Sequence, residues 1–308
     1  MFLESRPSHR YADLMTTVVI HGTLANGASW YKSSWSGHGF LAGLQQGMLA
    51  ETGTEDIWTV NGADVGAIPD LGIFEWSGSH EGSGRGFAAQ QLAKYLSRLC
   101  EYTSEPIRVI AHSHGCNVLK LATALPEMAD HVFIEKAVFL ACPHFSEAGT
   151  NPGKMANWQD KFSFKKLAEH GRAAPRLFRY AMNHERFGRI LNMYSEQDAV
   201  QVKLAQLFGS TLPPMTGTMW NNFKAGMTTG GMEYPTATRT DLDPNTKGMY
   251  EDLALHISGR GSGTTAHSAL HGFNVGLFCG VWLNGAATSQ DMIDQAGPPV
   301  LSFDDLGG

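Results

Sequence analysis

The sequence predicts an α/β fold with a mostly parallel central sheet and helices on both faces. Short apolar, β-branched runs such as Thr17-Val18-Val19-Ile20 and Val109-Ile110-Ala111 read as strands buried on both sides. Stretches of helical length and period separate such runs, the alternation that builds a parallel sheet. The chain has 308 residues and is 43% hydrophobic, enough for one large domain, 1–308, with insertions and a substantial core.

The elements follow in order. A buried strand at Thr17-Val18-Val19-Ile20 ends in His21-Gly22-Thr23. A helix is expected over 40–50, and short strands over 57–60 and 73–76. Residues 78–86 are rich in Gly and Ser, and a helix over 87–100 follows, with Phe87, Leu92, Tyr95, Leu96 and Leu99 on its apolar face. Within that loop, Gly82-Ser83-Gly84-Arg85-Gly86 lacks both the Walker lysine and the full dinucleotide fingerprint, so it reads as a flexible loop and not a phosphate cradle. Strands are expected over 107–111, 137–141 and 189–194. A last strand is placed over 253–257 and a final helix over 269–283.

The most telling stretch is Val109-Ile110-Ala111-His112-Ser113-His114-Gly115, an apolar run entering small-x-Ser-x-Gly, with a helix-compatible segment from Asn117 onward. Strand, tight turn and helix are the context in which a serine becomes an exposed nucleophile. A sharp turn crowds the backbone two positions either side of the serine, and Ala111 and Gly115 leave room there. The helix aims its N-terminal dipole at the same point. The pattern departs from strict G-x-S-x-G, because Ala111 stands for the first glycine.

With His21-Gly22-Thr23 upstream and this elbow, the chain resembles the α/β-hydrolase superfamily, in its lipase and esterase branch, over roughly residues 16–284. The resemblance implies an α/β-hydrolase fold and a Ser-Asp-His triad in that chain order. Ser113 is the implied nucleophile. The implied oxyanion hole is the backbone N–H groups of Thr23 and His114. A carboxylate just past a late strand is the implied acid. Asp198 fits by its D-x-V context, while Glu196 lies closer to the strand end. The implied base lies between the last strand and the final helix, where His267 stands, with Ser268 as its helix cap; His271 is the competitor. His256 reads as a packed residue inside the last strand. Trp30, Tyr31, His144 and Phe145 are the expected substrate-pocket residues. Serine needs an adjacent base to act as a nucleophile, the imidazole moves its proton, and the carboxylate fixes the imidazole tautomer.

Two segments exceed the minimal fold, 145–188 and 201–251. The second is rich in Gly, Met, Thr and Pro and carries Trp220 and Phe223, and both segments read as cap or lid insertions over the serine. Residues 286–308 show no clear periodicity and read as a peripheral tail.

The function expected is hydrolysis of carboxylic esters without a cofactor, on a small-molecule or lipid ester. Amidase, thioesterase or phospholipase chemistry on the same triad stays open. A non-catalytic ligand-binding protein of this fold would be expected to lack a triad member, and all three are present. A metal-dependent hydrolase built on the histidines is a further class, but no H-E-x-x-H spacing occurs, and no metal is expected. Net charge is -6, and no Lys/Arg cluster offers a phosphate-binding face, which argues against nucleic acid. The 4 cysteines are scattered without a C-x-x-C pair and read as core thiols. The start Met1-Phe2-Leu3-Glu4-Ser5-Arg6-Pro7 forms no leader pattern, so a cytoplasmic chain is expected, with secretion left open. The apolar run over 273–283 falls short of the roughly 20 residues a bilayer span needs, and no integral membrane segment is expected.

Overall fold

The computed structural model describes residues 16–22, 30–31, 39–52, 57–59, 76–78, 82–102, 107–142, 182–195, 198, 250–258, 267, 269–299 and 301–302. Strands β1 (Thr17–Ile20), β2 (Ile57–Thr59), β3 (Ile107–His112), β4 (Ile134–Leu140), β5 (Phe187–Tyr194) and β6 (Tyr250–Ala254) form a six-stranded sheet in the order β2-β1-β3-β4-β5-β6. Every pairing in it is parallel. The helices are α1 (Phe40–Thr52), α2 (Gly82–Tyr102), α3 (His114–Ala124), α4 (Phe273–Asn284) and α5 (Ser289–Ala296). The α/β class read from the strand–helix alternation is therefore present.

The two-residue period of the strands divides the core into two layers. Val18, Ile20, Val109, Ala111, Ala137, Phe139 and Ile190 face α2 and α3, and pack with Leu92, Leu96, Val118 and Leu119. Val19, Ile110, Val138, Leu140, Leu191 and Met193 face the other way, against α1 and α4, with Leu44, Met48, Val275 and Trp282. Strands covered on both faces carry near-continuous apolar sequence, which is why these runs were legible as strands.

Helices α1 and α4 cross almost backbone to backbone. Gly43 and Gly47 of α1 lie against Gly276 and Gly280 of α4. A Cβ at Gly43 would run into the Phe273 carbonyl, and one at Gly276 into that of Phe40. The end of α4 is tied to the sheet. The Lys136 ammonium donates to the Trp282 carbonyl at 2.8 Å and also to that of Gly285, while the Asn284 amide donates to the Met48 carbonyl at 2.8 Å. A cation at the C-terminus of a helix meets its negative dipole end and its otherwise unpartnered carbonyls. Burial, ahead of the neighbouring Arg189 and Arg108 charges, pulls the Lys136 pKa down to about 8.

Several expectations change. The Gly-rich stretch from Gly82 to Gly86 is not a loop; it forms the opening turns of α2, a helix whose later turns pack on α3, and that tertiary packing outweighs low local helix propensity. The last strand of the main sheet begins earlier than expected and ends at Ala254. Ile257–Ser258 is a separate short strand, β7, paired in parallel with β8 (Leu301–Ser302). His256 lies between the two and is exposed, not packed in a strand. Residues 270–272 form a turn, so the final helix starts at Phe273 and not at 269. Trp76 belongs to no strand, and residues 73–75 of that expected strand lie outside the described residues. The tail carries α5, whose Thr288 hydroxyl and Asp291 carboxylate form a reciprocal N-terminal cap. Of the two expected cap segments, 145–188 and 201–251, residues 145–181 and 201–249 lie outside the described residues. No helix among the described residues is long and apolar enough to cross a membrane.

Candidate active site

In an open parallel sheet, sites form beyond the carboxyl ends of the strands. Four chain segments meet there in this structure, after β1, β3 and β5 and before α4.

The end of β3 turns directly into α3 through Ser113. Its backbone is at φ 51° and ψ −129°, outside the regions that L-residues favour. Strain of this kind costs on the order of 1–3 kcal/mol and persists only where the surroundings enforce it. Here they do. The Ser113 N–H donates to the Leu140 carbonyl at 2.8 Å, and its carbonyl accepts from the Cys116 N–H at 3.0 Å. Gly115 sits against β1: a Cβ there would lie 2.5 Å from the His21 carbonyl oxygen. The small residue expected two places after the serine is thus required by contact with the neighbouring strand. Ala111, two places before, is fully buried in the layer under α2 and α3. The Ser113 hydroxyl makes no hydrogen bond among the described residues, and the residue is 7% exposed.

Beside the elbow runs the end of β1. A Cβ on Gly22 would lie 2.7 Å from the Ser113 Cβ and 2.8 Å from His112 Nδ1, so this position too must be glycine. His21 is buried and held by hydrogen bonds, as expected of a strand-end histidine. Its Nδ1–H donates to the Gly22 carbonyl at 2.7 Å, and its own carbonyl accepts from the Trp76 indole at 3.1 Å. Thr23, the expected first oxyanion donor, lies outside the described residues. His114, the expected second donor, is the first residue of α3, at the positive end of that helix.

Asp198 follows β5 in a turn closed by its N–H to the Ser195 carbonyl at 3.0 Å. It is 1% exposed, and its Oδ2 lies 2.7 Å from His267 Nδ1. Nδ1 is therefore the protonated nitrogen toward the carboxylate, which leaves Nε2 as the acceptor on the opposite edge of the ring. Of the two histidines left open by sequence, His267 is the one paired with the carboxylate. His271 instead stacks flat on Trp30, with centroids 4.0 Å apart at 4°.

A run of rings joins these pieces. His112, next to the serine, lies 4.7 Å from His267 and 4.1 Å from His271, and Trp30 meets His112 edge-on at 5.6 Å. Burial drives the pKa of His112 far down, and the nearby His271, His267 and His21 rings push the same way against a small opposing contribution from the His267 backbone. Burial likewise, with help from His267, takes His271 down to about 3. Both rings are neutral at ordinary pH. Trp30 and Tyr31 were expected to line a substrate pocket. Both are buried and packed, Trp30 on His271 and Tyr31 on His21 with centroids 4.7 Å apart, so they support the site's histidines. His144 and Phe145 lie outside the described residues.

Behind the elbow, Cys116 and Cys142 are both buried, and burial, followed by the neighbouring Cys142, pushes the Cys116 thiol pKa up. With the buried Cys279, they fit the expected core thiols.

One residue at the site was not anticipated. Arg85, in the opening turns of α2, is 1% exposed and reaches His114, with Nη1 2.9 Å from His114 Nδ1. Reading the Gly-rich stretch as a loop hid it. No group of three or more His, Cys, Asp or Glu among the described residues is arranged to hold a metal ion. Compared with known proteins, the chain matches no family model and no curated sequence.

Proposed function

We propose that the chain is a serine hydrolase of the α/β-hydrolase type that cleaves carboxylic esters through an acyl-enzyme. The observation that carries this reading is the Asp198–His267 pair at 2.7 Å, beside a strained strand-to-helix serine. The two halves lie in contact, since the ring of His112, the residue before Ser113, is 4.7 Å from that of His267.

In this reading Ser113 Oγ attacks the ester carbonyl carbon as His267 Nε2 takes its proton. The tetrahedral intermediate carries an oxyanion facing the backbone N–H groups of His114 and Thr23. Each such donor is worth roughly 3–4 kcal/mol of barrier. The imidazolium then protonates the departing alcohol, and water repeats the sequence to release the acid. Asp198 keeps Nε2 free to accept and stabilises the imidazolium.

The decisive experiment is labelling with a fluorophosphonate probe, with the adduct located by mass spectrometry. The expected result is a single adduct on Ser113, lost in Ser113→Ala together with hydrolysis of p-nitrophenyl butyrate. Loss of a triad member typically costs about 10⁴–10⁶ in turnover. No adduct on Ser113, or a Ser113→Ala variant as active as wild type, overturns the reading.

A further inference from the structure

The stretch from Gly82 to Gly86 places three glycines in the opening turns of a helix. Each costs on the order of 1 kcal/mol of helix propensity against alanine. The one long side chain among them is Arg85, and it is buried. A buried guanidinium is expensive to desolvate, and an apolar residue of similar length packs at less cost. A stretch that breaks two local rules at once, next to a nucleophile elbow, marks a functional requirement.

The geometry shows what the guanidinium does. Arginine has donors only, so at 2.9 Å its Nη1 donates to His114 Nδ1. The Asn117 side-chain amide, one turn along α3, lies 3.2 Å from the same nitrogen and donates to it as well. With two donors on Nδ1, the ring carries its hydrogen on Nε2. His114 is both the first residue of α3 and the residue after Ser113. Its ring is thus held from two helices at the point where the backbone must stay fixed.

We propose that Arg85 is a positioning residue for the Ser113 reaction. Anchored on His114 Nδ1, it sets the Nε2–H tautomer of that ring and holds the peptide beside Ser113 in the orientation that receives the oxyanion. This rests on the reading of Ser113 as a nucleophile. Interactions made with the oxyanion are realised in the transition state and not in the ground state. Loss of Arg85 therefore lowers kcat and the rate of phosphonylation while leaving KM nearly unchanged. A role confined to packing would lower the melting temperature and leave kcat alone.

The test uses the full chain and the variants Arg85→Met, Arg85→Lys, His114→Ala and the Arg85→Met/His114→Ala double. Arg85→Met is expected to lose about 10- to 100-fold in kcat, the scale of a small misplacement at a reacting centre. Arg85→Lys, which restores a charged donor, is expected to recover part of that. The double variant is expected to be no slower than the slower single, because both remove the same restraint. An Arg85→Met kcat within about twofold of wild type, or losses that multiply in the double, overturns the proposal. Should Arg85→Met not fold, nitrogen-15 NMR of wild-type histidines decides it. The Nε2–H form of His114 is expected, and the Nδ1–H form overturns the proposal. Absence of any fluorophosphonate adduct on wild-type Ser113 would defeat the esterase reading itself. The tautomer measurement would still decide the Arg85 anchor.

Discussion

Asp198 and His267 stand 69 positions apart in the chain and meet at 2.7 Å. The carboxylate is almost wholly out of solvent, at 1%, while the imidazole keeps 14% of its side chain exposed. The buried partner fixes a ring that itself stays partly open to solvent. A carboxylate enclosed in this way holds one tautomer of the ring firmly, because an unpaired buried charge would be far costlier than the paired one.

Asp198→Asn tests that relationship directly. The amide is nearly isosteric, so the fold and melting temperature should change little. It can donate to Nδ1, which reverses the tautomer and leaves a hydrogen on Nε2, where an acceptor is required. Turnover of p-nitrophenyl butyrate should fall by about 10⁴, as it does when this tautomer is lost in serine triads. Retention of more than about a tenth of wild-type kcat would remove Asp198 from the site.

The two histidines separate in the same assay. His267→Ala should abolish turnover, since it removes the ring that bonds to Asp198. His271→Ala removes a ring stacked on Trp30 and should lower the melting temperature while keeping turnover within about tenfold. A dead His271→Ala with an active His267→Ala would make His271 the base.

Sequence alone reached the strand–serine–helix unit because its signals are local: a two-residue period, then a helical one, with small residues at the crowded turn. It reached Asp198 through the context after β5. It placed His267 ahead of His271 without excluding the latter, since both lie near the start of an apolar helical run and only the fold decides which one meets the carboxylate. The start of β6 was hidden for a different reason. Tyr250, Glu251 and Asp252 are not an apolar run; Glu251 is held by Arg189 of the neighbouring strand at 3.1 Å, and Asp252 accepts from Asn192 at 2.7 Å. Ion pairs and hydrogen bonds between strands leave no hydrophobic period to read. Arg85 was missed because glycine-rich sequence argues for a loop, and the packing of α2 on α3 overrode that preference.

Acid stability carries the mark of the buried rings. His271 faces Trp30, His112 and His267, and His112 faces Trp30, His271 and His267. Both have folded pKa values below the ordinary 6.5, His271 at about 3. The unfolded chain therefore binds more protons than the folded one between these values. Stability from this source is full above about pH 6.5 and is lost as pH falls toward 3. The loss is at most about 1.4 kcal/mol per pH unit for each ring. Urea unfolding at pH 7, 6, 5 and 4 should show the decline, and His271→Phe, which keeps a ring against Trp30, should make it shallower. An acid slope unchanged in His271→Phe would mean that His271 does not stay neutral in the fold.

The glycines at the elbow make the final case, because they separate a steric requirement from a chemical one. A Cβ at Gly115 would sit 2.5 Å from the His21 carbonyl oxygen and 3.0 Å from that of Ile20, backbone atoms at and just past the end of β1 that cannot swing aside. Gly115→Ala should cost about 1–3 kcal/mol, the usual price of overpacking a tight contact. A Cβ at Gly22 would meet the Ser113 Cβ at 2.7 Å, His112 Nδ1 at 2.8 Å and the His112 carbonyl oxygen at 2.9 Å, so its relief must move Ser113 or His112. Gly22→Ala should therefore reduce kcat by about 100-fold, more than its effect on the melting temperature would suggest. Ala111→Gly provides the control. It removes a methyl from a fully buried site, restores the G-x-S-x-G pattern, and should keep activity at a cost of roughly 1 kcal/mol in stability. Melting curves and kcat measured on all three would decide the matter. Full activity and wild-type stability in Gly22→Ala would show that the approach of β1 to the serine is not what holds this elbow.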